Sequence, residues 1–133
     1  MERIVTPARP MLRDRLLAGT LVVAVFTLCV LAVLPVPAAV RGRCDTVSGA
    51  FESARLAGGA DVQLRLAGDH HVYYIDRGAE RGVDAARWSE RLTGHHVELE
   101  IIARNWSPLD PRHVMAPVAQ VSESGEVLFS AFR

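Results

Sequence analysis

The sequence predicts one N-terminal transmembrane helix followed by a mostly-β domain, and three observations support this class. Residues 16–34 contain no charged side chain. Pro35 and Pro37 follow this segment directly. From residue 46 onward, short runs of alternating apolar and polar residues are separated by turns that contain glycine. We therefore divide the 133-residue chain into a cytoplasmic tail (1–15), a transmembrane helix (16–34), a linker (35–45) and an exported domain (46–133).

The apolar segment has the length of a membrane span. A helix rises ~1.5 Å per residue, so residues 16–34 cover roughly the 30 Å hydrocarbon core of a bilayer. A core helix of a soluble protein would have a polar face, which this segment lacks. A cleaved signal peptide stays open as an alternative, because Ala38 and Ala39 suit a cleavage site. Signal cores are usually only about 7–15 residues long, so an uncleaved anchor is the preferred interpretation.

The distribution of arginine predicts the orientation of this helix. Four arginines precede the apolar segment and two follow it closely: Arg3, Arg9, Arg13 and Arg15, then Arg41 and Arg43. Positive residues stay preferentially on the cytoplasmic side. We therefore expect a single-pass protein of the bacterial inner (cytoplasmic) membrane, with the N-terminus in the cytoplasm and the C-terminal domain periplasmic or extracellular.

Charge and cysteine content limit the possible partners. Residues 1–44 carry a net charge of +4 and residues 45–133 a net charge of −4, so the exported domain is mildly acidic. Because nucleic acids are bound through clustered positive charge, we expect no nucleic-acid partner. Cys29 lies in the apolar segment and Cys44 just beyond it, so no intrachain disulfide is expected. Cys44 is predicted to be either an unpaired thiol or the link of a homodimer.

The first half of the exported domain is predicted to form three strands. Residues 47–52 show an alternating, strand-like pattern, and Gly49 within this segment predicts a bulge or a sharp coil. Residues 61–67 alternate cleanly, with Val62, Leu64 and Leu66 on one side and Arg65 on the other. Residues 71–75 form a third predicted strand after the turn at 68–69.

The second half combines one short helix with further strands. Asp84 is a suitable N-cap, and Ala85, Trp88 and Leu92 would share one helical face before Gly94 ends the helix. Residues 96–103 alternate as a fourth strand, and residues 105–111 form a loop. Residues 114–121 and 126–132 are strand-like and are joined by a hairpin at 122–125.

This element order resembles the OB-fold over residues 46–130. Three strands and a short helix are followed by a strand and a strand-like hairpin, and Gly49 lies in the first strand. The resemblance implies a five-stranded OB-like barrel with one short helix between strands 3 and 4, and a ligand-binding face on strands 2 and 3. The periplasmic haem chaperones of cytochrome c maturation are similar in layout, and their His-x-x-x-Tyr motif is matched in spacing by His70 and Tyr74. In those proteins the motif lies in a C-terminal tail, whereas here it lies in the predicted third strand.

The candidate site residues follow from these positions. Tyr73, Trp106, Arg65 and Arg77 are the predicted binding surface, whereas Tyr74 and Trp88 are predicted to fill the core. The candidate metal ligands are two histidine pairs that could meet near Asp69 or Asp110: His70 and His71, His95 and His96. The leading interpretation has no metal and no other cofactor.

The sequence contains no convincing catalytic constellation. We therefore expect a non-enzymatic binding or assembly domain of the cell envelope, held in the lipid bilayer by residues 16–34 and bound to another envelope protein. The alternative is a metal or haem carrier of the periplasm that uses the histidine pairs.

Overall fold

The computed structural model describes residues 11–103 and 106–132. The chain divides into two compact units, Met1–Leu34 and Pro35–Arg133. The first unit contains helix α1 (Leu12–Ala32). The described residues of the second contain one α-helix and six strands: β1 (Cys44–Leu56), β2 (Val62–Leu66), β3 (Val72–Ile75), α2 (Ala85–Leu92), β4 (His96–Ile102), β5 (Met115–Glu123) and β6 (Glu126–Ser130).

Helix α1 is long and apolar enough to cross a membrane, and none of its residues is buried. Its bounds differ from the predicted 16–34, since it begins at Leu12 and ends at Ala32. The helix therefore includes residues 12–15 of the predicted tail, and residues 1–10 of that tail lie outside the described part of the chain. The physical reason is that long arginine side chains reach polar surroundings from within a helix, so a helix need not begin where its apolar segment begins.

Five strands form a closed barrel, as predicted. β1 pairs through its first half with β4 and through its second half with β2, and β4 and β2 continue to β5 and β3 respectively. A parallel pairing of β3 with β5, from Val72↔Met115 to Tyr74↔Pro117, closes the ring. β6 lies outside this ring and pairs with β5 alone among the described strands. The predicted helix between strands 3 and 4 is confirmed as α2.

β1 bends where it passes from β4 to β2. The β1–β2 register shifts between Phe51 and Ser53, so the irregularity lies two residues beyond the predicted Gly49. A Cβ atom at Gly49 would lie 3.4 Å from Leu66 Cδ1. Gly49 therefore permits a close approach of β2, and the extra residue that bends β1 comes just after it.

The barrel interior is filled by the residues that alternation predicted. The fully buried side chains include Val62, Leu64 and Leu66 of β2 and Val97 and Leu99 of β4. Helix α2 packs against β1 and buries Leu92 completely.

The ends of α2 and the β5–β6 hairpin lie where the sequence predicts them. The side chain of Asp84 accepts a hydrogen bond from the backbone N–H of Arg87 at 3.1 Å, which confirms the N-cap. Gly94 follows the helix with φ of +83°. Ser124 and Gly125 both have positive φ, as a two-residue type I′ hairpin requires.

Candidate binding surface

The outer face of β1, β2 and β3 presents polar and cationic side chains. In β2, Leu64 and Leu66 are buried whereas Arg65 between them is exposed. The register places Arg55 of β1 opposite Gln63, and Arg55 Nε donates a hydrogen bond to Gln63 Oε1 at 2.9 Å. This contact orients one guanidinium on the same sheet face that carries Arg65. Arg65 has no carboxylate within 4.0 Å among the described residues.

Both tyrosines of β3 are buried, on opposite sides of the sheet. Tyr73 pairs with Leu64 and therefore shares its inward face, where it is only 2% exposed. The prediction of an exposed Tyr73 is wrong, because its partner in β2 fixes its direction. Tyr74 pairs with Gln63 and so lies on the outer side of the sheet, although it too is buried. A four-residue strand with apolar residues at both ends gives no alternation from which this direction could be read.

Tyr73 belongs to a hydrogen-bonded cluster that the sequence analysis did not identify. Its Oη donates to Asp69 Oδ2, and Asp69 Oδ1 accepts from the backbone N–H of His71 at 2.9 Å. The Nδ1 atom of His71 lies 2.7 Å from the same oxygen. The signal that could have found this cluster is the spacing of residues 69, 71 and 73, because residues two apart in an extended segment share a face.

The electrostatics of this cluster favour fixed protonation states. Burial raises the pKa of the Asp69 carboxyl, but the hydrogen bonds from Tyr73 and His71 outweigh this effect and lower the pKa to about 2. Burial and the adjacent carboxylate both raise the pKa of Tyr73. Near neutral pH, Asp69 therefore keeps its charge and Tyr73 keeps its proton. These hydrogen bonds hold the β2–β3 turn in place.

Arg77 lies beyond the other end of β3. Its φ is +50°, and its backbone N–H donates to Asp61 Oδ1 at 2.8 Å. Its exposed guanidinium pairs with Glu80 at 2.6 Å. The next residue, Gly78, is buried, and a Cβ atom there would lie 3.0 Å from Val62 Cγ2. These contacts fix the segment that connects β3 to α2 and place Arg77 at its surface.

Trp106 lies in the loop between β4 and β5, where it is 47% exposed. The predicted loop at 105–111 is present from residue 106, and Asn105 is outside the described residues. Asp110 organises this loop: its two carboxylate oxygens accept from the backbone N–H groups of Val114 at 2.9 Å and Met115 at 2.8 Å.

The four predicted binding residues do not form one cluster. Tyr73 is inside the barrel, and Arg65 is on its outer face. The first residues of β3 and β5 pair with each other, so these two strands start at the same end of the barrel. Trp106 comes before the start of β5, whereas Arg77 comes after the end of β3. Trp106 and Arg77 therefore lie at opposite ends of the barrel. Arg65 follows Leu64, the partner of Tyr73, and therefore lies toward the start of β3, so it is separated from Arg77 as well.

The two histidine pairs are also separated. His70 and His71 precede β3, whereas His95 and His96 lie at the start of β4, and these two strands are not neighbours in the barrel. His95 Nδ1 contacts Glu123, whose pKa is lowered by this hydrogen bond and by Arg91. The expectation that one histidine from each pair could meet is therefore wrong. Within residues 11–103 and 106–132, no group of three or more His, Cys, Asp or Glu residues is placed to hold a metal ion.

The described surface contains open grooves. One has a volume of about 340 Å³ and lies between residues 36–39 and the barrel, with Pro117 and Val118 of β5 in its wall. The ionisable side chains among its described lining residues are Asp76 and Arg81. These described lining residues include no serine, cysteine or histidine.

Neither a protein-family model nor a curated protein matches this chain. Its fold and the positions of its side chains are therefore the basis for a functional conclusion.

Proposed function

We propose that this protein is a single-pass membrane-anchored, non-enzymatic binding or assembly domain of the cell envelope. The observation that carries the proposal is the division of the chain into an apolar helix with no buried residue and a separate barrel with a filled core. A helix of this kind needs an apolar environment, which a bilayer provides. A small barrel filled by its own side chains offers its outer surface, rather than an internal cavity, for recognition.

The strand order supports assignment of the barrel to the OB-fold class. β1 is shared between two halves of the sheet, and a parallel β3–β5 contact closes the ring. In barrels of this class, ligands bind on the face of strands 2 and 3. Here that face carries Arg65, with Arg55 oriented beside it by Gln63. We assign this face to an envelope protein that presents carboxylates, since guanidinium groups pair well with them.

Membrane anchoring and orientation are tested first. Membranes that contain the full chain are washed with alkaline carbonate, and a reporter that is active only after export is fused to the C-terminus. We expect the chain to stay in the membrane fraction and the reporter to be active. A chain that is released by the wash contradicts the anchor, and a reporter that stays inactive contradicts the orientation.

The binding face is tested by site-specific photo-crosslinking in membranes of the source cells. A photoreactive amino acid replaces Arg65, and the matched control replaces Arg87, an exposed arginine on α2. We expect a discrete adduct at position 65 that is absent at position 87. In a competition experiment between wild type and each variant, Arg65→Glu should weaken the association with the partner, and Arg87→Glu should leave this association unchanged. Equal adducts at both positions would show that this face has no specific partner.

The homodimer through Cys44 stays a prediction, and the surroundings of this residue disfavour rapid formation. Burial raises the pKa of the Cys44 thiol, and the charges of Glu100 and Asp45 raise it further. A higher pKa reduces the thiolate fraction, and the thiolate is the species that reacts. Non-reducing gels of wild type, Cys44→Ser and Cys29→Ser decide the matter: a dimer band that only Cys44→Ser removes supports the link.

A further inference from the structure

One end of the barrel exposes a concentrated set of large apolar side chains. Four such side chains lie within ten consecutive residues: Trp106 (47% exposed), Leu109 (78%), Val114 (39%) and Met115 (38%). We name residues 106–115 the apolar loop. Elsewhere in the described strands the large apolar side chains that are exposed, Leu56 and Val127, lie singly, so this concentration marks an interaction site.

The apolar loop is built to hold these side chains outward. Asp110 accepts from two backbone N–H groups at the start of β5, and Ser107 forms a bridge with Asp110. The backbone N–H of Leu109 also donates to Ser107 Oγ at 3.3 Å. Because the loop is internally hydrogen-bonded, its exposed apolar side chains belong to a defined conformation.

The polypeptide enters the barrel at this same end. The first residue of β1, Cys44, pairs with Ile102, the last residue of β4. The apolar loop begins a few residues after Ile102. Val40 is also exposed, and its carbonyl accepts from the backbone N–H of Arg43 at 3.1 Å in the turn just before β1. The segment that joins α1 to the barrel therefore arrives beside the apolar loop.

The length of this segment limits the distance between the barrel and a bilayer. Residues 33–43 separate the last residue of α1 from the first residue of β1. At no more than about 3.6 Å per residue, they span at most about 40 Å. If α1 is anchored in a bilayer, the apolar loop is confined near that bilayer at a high effective concentration. Under such confinement even a weak apolar contact is populated.

We propose that the apolar loop inserts into the interface of the same bilayer that holds α1. The inference rests on the proposed membrane anchor. Tryptophan favours the level of the lipid headgroups, and Leu109, Val114 and Met115 bury apolar area just below it. Exposed Arg112 lies within the loop and exposed Arg43 lies at the same end of the barrel, so both are available to lipid phosphates. The barrel then has a second attachment to the membrane in addition to α1.

The test places the full chain in nanodiscs of phosphatidylcholine, with or without bromine on the acyl chains near the headgroup. Bromine quenches tryptophan on contact. Wild type contains Trp88 and Trp106, and Trp106→Phe keeps only Trp88, which lies on α2 at the opposite end of the barrel. We expect brominated lipid to remove about half of the wild-type emission, as one of two tryptophans lies in the interface, and almost none of the emission of Trp106→Phe. Leu109→Asp keeps both tryptophans and should reduce the quenching.

The outcomes separate the two proposals. If the chain does not co-elute with nanodiscs, the membrane anchor itself fails. If it co-elutes but brominated lipid quenches wild type and Trp106→Phe equally, the insertion of the apolar loop is overturned. Protection of Trp106 from an aqueous quencher without quenching by brominated lipid also overturns it, because a protein or a second copy then covers the loop.

Discussion

Ser89 provides the sharpest test of how α2 supports the barrel. The backbone N–H of Ala54 donates to Ser89 Oγ at 2.8 Å, and Ser89 Oγ donates to the carbonyl of Ala54 at 2.7 Å. Ala54 lies in the half of β1 that pairs with β2, beyond the half that pairs with β4. Ser89 therefore provides the partners that β4 provides elsewhere along β1.

Replacement of Ser89 by alanine would leave both groups of Ala54 without these partners. An unsatisfied buried backbone group costs about 1–3 kcal/mol, and the lower limit applies here because the site is half-buried. Two groups at about 1 kcal/mol each lower the free energy of unfolding by roughly 2 kcal/mol. For a domain of this size we expect a decrease in Tm of about 10 °C.

The assay is thermal unfolding of the full chain in detergent, followed by the fluorescence of Trp88 next to the substituted residue. The matched control is Ser48→Ala, because Ser48 lies exposed on β1. We expect this control to change stability by less than about 0.5 kcal/mol. Equal Tm values for Ser89→Ala and Ser48→Ala would refute the role of Ser89 as a substitute strand partner.

Three further changes test other contacts. Gly78→Ala should lower the free energy of unfolding by about 1–3 kcal/mol in urea titrations, because its methyl group would meet Val62, whereas Gly58→Ala enters open space and should have little effect. Asp69 has a folded pKa of about 2, below its usual 3.8, so its stabilising charge is complete above pH 4 and is lost as the pH falls towards 2. The Tm of wild type should therefore fall more steeply than that of Asp69→Asn over this range, and parallel Tm curves would contradict the assignment. Asp84→Ala removes the N-cap of α2 and should destabilise the domain by about 1 kcal/mol in the same titrations, with a smaller value counting against the cap.

The sequence predicts those parts of the fold that depend on local patterns. β2 alternates without interruption, so its inward residues Val62, Leu64 and Leu66 are identified correctly. Asp84 and Gly94 mark the ends of α2 because each satisfies a conformational need of the neighbouring backbone. Gly49 indicates the coil in β1, although the register shift lies at residues 51–53.

Contacts between distant residues could not be predicted in this way. The inward direction of Tyr73 depends on its pairing with Leu64, because Val72–Ile75 is too short and too uniformly apolar to show alternation. The bonds between Ser89 and Ala54 join residues 35 positions apart, and no pattern near either residue indicates them. The separation of the histidine pairs follows from strand order, which periodicity does not determine.

The parallel contact between β3 and β5 has a consequence for how the domain folds. It joins residues 72–74 to residues 115–117, so it forms only after more than forty intervening residues have been synthesised and arranged. Pairings at this sequence separation form slowly, because the chain loses much conformational freedom before the contact is made. Until then, both strands have an open edge that can pair with another unfolded chain. We therefore expect mispairing during folding to begin at these two strands rather than at the β5–β6 hairpin, whose partners are close in sequence.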